Sequence, residues 1–318
     1  MQILLIILGL LLVTFGSNWL VDGASALAKK LKVSDLVVGL TIVSFGTSAP
    51  ELIVNIFASA NGSTELAIGN VVGSNIFNLL FILGVSAIVY PITVHNYTVF
   101  REIPFSLLAA AVIAIAANDI FIDGNASGII SRSDGLILLC FFSIFMYYVF
   151  IISRSSDVHV PEGLQTMSTF KSLLYITAGL SGLVFGGKLM VDSAVILARN
   201  MGVSESVIGL TVLAIGTSIP ELATSVAAAF KKNSDIAIGN VVGSNIFNIF
   251  FILGTSAVIK PLPFQAASNV DLILLFFATV FMLLLVYNHR QQQMVRTHGI
   301  IFVAIYILYT VYLLLYRA

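Results

Sequence analysis

The chain has 318 residues, of which 58% are hydrophobic and 9% charged, against about 25% charged in a soluble domain. Mean hydropathy is +1.05, so the chain reads as an all-α polytopic membrane protein. Net charge is zero, which suggests neither nucleic acid nor an acidic partner, and Cys140 as the only cysteine excludes an intrachain disulfide.

Apolar windows bounded by polar clusters predict ten spans of about 20 residues. In chain order they fall at 2–22, 35–60, 66–90, 103–118, 135–152, 172–198, 205–230, 236–260, 271–287 and 299–316. The first window lacks a basic leader and an A-x-A cleavage site, so it is expected to be a retained span. The longest polar segment, Ser153 to Lys171, falls near the midpoint and reads as a short cytoplasmic linker. It divides the chain into a five-helix repeat at 1–152, the linker at 153–171, and a second five-helix repeat at 172–318.

The halves are related by a constant offset of 170 residues. Gly16 matches Gly186, Asp22 matches Asp192, and Ser34, Gly39 and Thr41 match Ser204, Gly209 and Thr211. "FGTSAPEL" at Phe45–Leu52 matches "IGTSIPEL" at Ile215–Leu222, and the dodecamer "AIGNVVGSNIFN" recurs unchanged at Ala67–Asn78 and Ala237–Asn248. A gapless offset of this kind is the mark of a structural repeat. Five spans per half is an odd number, so the second half must enter the membrane from the opposite side, giving an inverted-topology repeat. With the loop at Ala28–Ser34 on the cytoplasmic side, ten basic residues lie inside and four outside, which predicts both termini outside the cell membrane. Lys188 lies within a span, four residues before Asp192, where it is placed to pair with it on one helix face.

Glu51 and Glu221 are the two acidic residues expected near the middle of spans. A carboxylate in hydrocarbon costs about 2.5–3.5 kcal/mol on the mildest scale, so it is expected to face a cavity, a cation or a partner. Pro50 and Pro220 precede them, and each removes an N–H that the carbonyl of Gly46 or Gly216 would otherwise receive. A kink with freed carbonyls is expected at Gly46–Thr47 and Gly216–Thr217, beside the hydroxyls of Thr47, Ser48, Thr217 and Ser218. The inventory is all oxygen, which suits hard cations such as Ca²⁺ or Na⁺. His95, His159, His289 and His298 fall in predicted loops, so soft metals are disfavoured. Two copies at matched positions favour a cation site over a pair of protonated, helix-bonded carboxylates.

In the dodecamers, Asn70, Ser74 and Asn78 share a helix face, as do Asn240, Ser244 and Asn248. Gly69 with Gly73 and Gly239 with Gly243 form G-x-x-x-G pairs. They are expected to pack span three onto kinked span two and to bring the Ser/Asn stripe to the same site, although helix–helix adhesion alone would also use this pattern. Asn75 and Asn245 project off the stripe and read as structural.

At these residues the sequence resembles the two α-repeats of the cation/calcium antiporter superfamily, and most closely its prokaryotic sodium/calcium exchangers. The resemblance covers nearly the whole chain. It implies ten helices in an inverted repeat and antiport of Na⁺ against Ca²⁺ by alternating access, with no cofactor and no enzymatic activity. Its substrates are then Na⁺ and Ca²⁺, and the transporter is a lipid-embedded monomer. It implies that Glu51 and Glu221 are the central ligands and that the hydroxyls of Ser48, Ser74, Ser218 and Ser244 serve flanking Na⁺ positions. Carbonyls at Ser44, Thr47, Ala214 and Thr217 would complete the shells, and Asn78 and Asn248 would line them. Many relatives, K⁺-dependent ones included, carry Asp where this chain has Asn248, so K⁺-independent exchange is expected. The nearest rival is Ca²⁺/H⁺ antiport on the same fold. A cation channel and an intramembrane enzyme lack their sequence signatures. Spans one and six, long and carrying Gly16 and Gly186, are the expected moving pair.

Overall fold

The computed structural model describes residues 2–62, 64–95, 98–122, 128–155, 167–200, 214–288 and 292–316. The helices are α1 (Gln2–Leu31), α2 (Asp35–Thr47), α3 (Ala49–Ala60), α4 (Thr64–Val89), α5 (Thr98–Ala116), α6 (Arg132–Ser155), α7 (Thr169–Asn200), α8 (Ala214–Thr217), α9 (Ile219–Phe230), α10 (Ser234–Ile259), α11 (Asn269–Asn288) and α12 (Arg296–Tyr316). A short helical turn follows α5 at Asp119–Ile122. Among the described residues, eight helices are long and apolar enough to cross a membrane, or nine if α2 and α3 count as one bent span. Most of the expected linker, His159, His289 and residues 205–213 of the expected seventh span lie outside the described residues. His298 lies in the first turn of α12, a helix that begins three residues earlier than the apolar window indicated.

The predicted kink is a break. The axis turns by 47° between α2 and α3, at Ser48 with φ −82° and ψ 5°. Pro50 sits in the first turn of α3 and Pro220 in the first turn of α9, where the missing N–H costs no helix bond. Ser218 breaks the second copy with φ −92° and ψ 9°.

α4 and α10 form the centre. In their most apolar windows 78% and 94% of residues are buried inside the protein, against 11–39% for the other spanning helices. Each carries one dodecamer and then a π-helical stretch, at Phe77–Ile82 and Phe247–Leu253. Both end before a proline. Tyr90 and Lys260 are extended, with φ near −145°, because Pro91 and Pro261 disfavour the helical conformation of the residue before them.

The chain then forms two short antiparallel ribbons that the all-α expectation did not include. β1 (Ile92–Thr93) pairs with β4 (Gln293–Met294), and β2 (Gly128–Ile130) with β3 (Leu262–Phe264). β1 and β3 stand at the 170-residue offset. The turns entering α4 and α10 match as well: Gly62 has φ +84° and Lys232 has φ +57°.

α1 and α7 make the most extensive helix pair in the molecule. A Cβ on Gly9 would lie 2.7 Å from the Gly186 carbonyl, one on Gly16 would lie 2.8 Å from the Gly179 carbonyl, and one on Gly23 would lie 2.8 Å from the Ser172 carbonyl. The positions step by seven in opposite directions, so the helices run antiparallel along a glycine seam. A seven-residue repeat keeps such a seam in contact when the helices cross at a small left-handed angle.

The dodecamer glycines pack differently from expectation. Gly239 and Gly243 lie against α2, with an added Cβ 3.1 Å from the Leu36 carbonyl and 3.0 Å from Leu40 Cα, respectively. The contact therefore joins a helix of one half to a helix of the other. Gly69 and Gly73 have no described residue within 4 Å of an added Cβ. Antiparallel helices from opposite halves can interleave at the centre, which a reading that pairs neighbouring spans misses.

Candidate functional site

The breaks at Ser48 and Ser218 start α3 and α9 at the protein centre, and one turn later each helix presents its glutamate. Glu51 and Glu221 are both 0% exposed. The hydroxyls cross between the halves: Ser48 Oγ donates to Glu221 Oε1 at 2.9 Å, and Ser218 Oγ donates to Glu51 Oε1 at 3.1 Å. Ser218 Oγ also lies 3.2 Å from Ser74 Oγ.

Around them stands a ring of amides. Thr47 Oγ1 donates to Asn240 Oδ1 at 3.1 Å, and Thr217 Oγ1 to Asn70 Oδ1 at 3.4 Å. Asn240 Nδ2 donates to Ser225 Oγ at 2.8 Å and to the Glu221 carbonyl at 3.2 Å. Asn70 Nδ2 donates to Asn55 Oδ1 at 2.7 Å, and Asn55 Nδ2 to the Ala67 carbonyl at 3.0 Å. Asn55 and Ser225 escaped the sequence reading. The available signal was their place one turn after Glu51 and Glu221, polar in both copies of a mostly apolar segment.

Several buried oxygens in this region accept no hydrogen bond from the described residues: Glu51 Oε2, Glu221 Oε2, Ser244 Oγ, Asn78 Oδ1 and Asn248 Oδ1. Buried polar atoms are ordinarily satisfied, so such a concentration calls for a ligand. Two carboxylates neutralise one divalent cation, and the remaining donors are neutral oxygens of the kind hard cations take. Among the described residues no group of three or more His, Cys, Asp and Glu converges, so the charge of this cluster rests on the two glutamates.

Glu51, Glu221, Thr47, Ser48, Thr217, Ser218 and Ser74 thus each take part in a hydrogen bond that crosses between the halves. Ser244, Asn78 and Asn248 are buried in the same central helices. Ala214 opens the turn of α8 that leads to Ser218. The Ser44 carbonyl accepts the Ser48 N–H at 3.0 Å. Asn75 and Asn245 do not stand aside: they meet each other across the halves. Lys188 and Asp192 are exposed on α7, and no ion pair joins them among the described residues. Asp22, the match of Asp192, pairs with Lys231 at 2.8 Å, a residue whose own match is Asn61.

Comparison with known proteins places this arrangement. Residues 1–151 and 171–315 match the family model described as sodium/calcium exchanger protein. Inner membrane protein YrbG of Escherichia coli is 38% identical over 81% of this chain and 79% of that protein. The sodium/calcium exchanger MaX1 of Methanosarcina acetivorans is 30% identical over 98% of this chain and 97% of its own length. Among solved structures, the sodium-calcium exchanger NCX_Mj soaked with 10 mM Na⁺ and zero Ca²⁺ superposes with a TM-score of 0.84 at 31% identity, covering 100% of this chain and 99% of that one.

Proposed function

This chain belongs to the sodium/calcium exchanger protein family, and on that premise we propose that it is a secondary antiporter exchanging Na⁺ for Ca²⁺ by alternating access, without K⁺. The observation that carries the reading is the reciprocal pair of bonds, Ser48 to Glu221 and Ser218 to Glu51, beside buried oxygens that accept nothing from the described residues. Glu51 and Glu221 are the shared ligands of both ions. Ser48, Ser74, Ser218 and Ser244 serve flanking Na⁺ positions, backbone or hydroxyl oxygens of Ser44, Thr47, Ala214 and Thr217 complete the shells, and Asn78 and Asn248 line them. Asn248 adds no third carboxylate, which supports K⁺ independence.

The architecture proposed for this activity is ten spans in two inverted five-helix repeats, 1–152 and 172–318, joined by the linker 153–171. The matched breaks and π-helical stretches, with strands β1 and β3, at the 170-residue offset support it. The protein acts as a monomer in the cell membrane with both termini outside. α1 and α7, held by their glycine seam, move as one body against the centre.

Exchange follows from shared ligands. Two carboxylates cannot hold a full Na⁺ set and Ca²⁺ together without excess charge, so occupancy is exclusive. The empty site leaves two carboxylates unpaired in low dielectric, which disfavours reorientation without cargo. The test is radiolabelled Ca²⁺ uptake into proteoliposomes under separately imposed Na⁺, K⁺ and H⁺ gradients. Uptake is expected to follow the Na⁺ gradient and to vanish in Glu51→Gln and in Glu221→Gln. Uptake driven by the pH gradient alone replaces Na⁺ with H⁺ as counter-ion, and normal exchange in either variant removes the proposed site.

A further inference from the structure

Asn75 and Asn245 lie where α4 and α10 cross. Asn75 Nδ2 donates to the Asn245 backbone carbonyl at 3.1 Å, and Asn245 Nδ2 to the Asn75 backbone carbonyl at 3.3 Å. A carbonyl only accepts, so each side chain must turn its NH₂ toward its partner's backbone. That leaves each Oδ1 as an acceptor pointing elsewhere. Asn248 Nδ2 donates to Asn75 Oδ1 at 2.9 Å, and Asn78 Nδ2 to Asn245 Oδ1 at 3.1 Å. The chain of donors and acceptors therefore fixes the amide rotation of Asn78 and Asn248. The outcome is that Asn78 Oδ1 and Asn248 Oδ1 face away from the brace, buried and accepting nothing from the described residues, one turn beyond Ser74 and Ser244.

We propose that Asn75 and Asn245 are positioning residues that lock the amides of Asn248 and Asn78 with oxygen, never NH₂, toward the transported cation. The inference rests on the exchanger reading above. An asparagine ligand has a wrong face, because its NH₂ repels a cation where its oxygen binds it. A carboxylate has none. A chain that places Asn at both 78 and 248 needs a device that forbids the flip, and the crossed amides supply it from the opposite half in each case. Asn70 and Asn240 make the contrast: their oxygens are already taken by Thr217 and Thr47.

The test is a pair of double-mutant cycles read by Ca²⁺-dependent thermal stabilisation and by the Ca²⁺ concentration for half-maximal uptake. Asn75→Ala should raise that concentration about tenfold or more, the usual cost of losing a partner behind a metal ligand, with a smaller change in maximal rate. In an Asn248→Asp background, where either oxygen can face the ion, the same Asn75→Ala change should shift it by no more than about twofold, the scatter of independent sites. Asn245→Ala with Asn78→Asp asks the same question in the other half. An equal loss from Asn75→Ala in both backgrounds overturns the proposal, as does failure of both alanine variants to fold even when paired with Asp, since a packing role predicts each. Wild type neither stabilised by Ca²⁺ nor carrying it overturns the exchanger reading itself. Wild type that binds and carries Ca²⁺, with Asn75→Ala no weaker, overturns only the brace.

Discussion

Gly186 and Gly187 are adjacent in α7 and differ sharply in what surrounds them. A Cβ on Gly186 would meet the Gly9 carbonyl at 2.8 Å, Leu12 Cβ at 2.8 Å and Val13 N at 3.0 Å. Two of these are backbone atoms that move only if α1 moves. A Cβ on Gly187 would find Pro220 Cγ at 3.9 Å as its nearest neighbour, an ordinary contact. Gly→Ala raises helix propensity by about 1 kcal/mol at either site, so the comparison cancels that gain. What remains is overpacking at Gly186 alone, about 1–3 kcal/mol. Gly187→Ala should melt at or above the wild-type temperature in the same detergent, and Gly186→Ala several degrees below Gly187→Ala. Gly16→Ala, with its Cβ 2.8 Å from the Gly179 carbonyl, should behave like Gly186→Ala. Equal melting temperatures for Gly186→Ala and Gly187→Ala would refute the seam, and with it the view of α1 and α7 as one body.

Tyr148 donates its hydroxyl to Glu102 Oε1, and Glu102 is fully buried. Tyr148→Phe should cost about 1–3 kcal/mol by leaving that oxygen unbonded, whereas Tyr148→Phe with Glu102→Leu should cost less; a melt in which the single change is neutral contradicts this. Lys231 bridges Asp22 Oδ1 at 2.8 Å and the Asn18 carbonyl at 2.9 Å, but both charged side chains are partly exposed. Lys231→Met should therefore cost no more than about 1 kcal/mol, and the loss should shrink at about 1 M salt; a loss independent of salt would assign Lys231 a packing role. With Glu51 and Glu221 as the proposed ligands, protons and Ca²⁺ compete for them, because a carboxylate must be ionised to ligate. The Ca²⁺ concentration for half-maximal uptake should rise as pH falls under a fixed Na⁺ gradient, and a fall on acidification would show that these carboxylates are not the ligands.

Much of this protein was legible in one dimension because the repeat is in one dimension. The 170-residue offset paired Glu51 with Glu221 and Ser48 with Ser218 before any contact was known. Pro50 and Pro220 announced the breaks, since a missing N–H acts locally whatever the fold. The apolar windows located most helices for the same reason. They failed where a helix continues past its apolar stretch, as α1 does to Leu31, or where prolines at matched positions send the chain into ribbons.

What periodicity could not supply was which half each side chain meets. The G-x-x-x-G of α10 packs on α2 of the other half, Ser48 bonds the glutamate of the opposite copy, and Asn75, read as structural, crosses to Asn245. Sequence alone determined that two identical oxygen-rich segments lie deep in an apolar protein, because hydropathy and identity are properties of the chain. Only the tertiary structure decided that each segment is completed by its twin. A carboxylate and its hydroxyl partner 173 residues apart become neighbours because α2 and α9 both pack on α10, which no local pattern encodes.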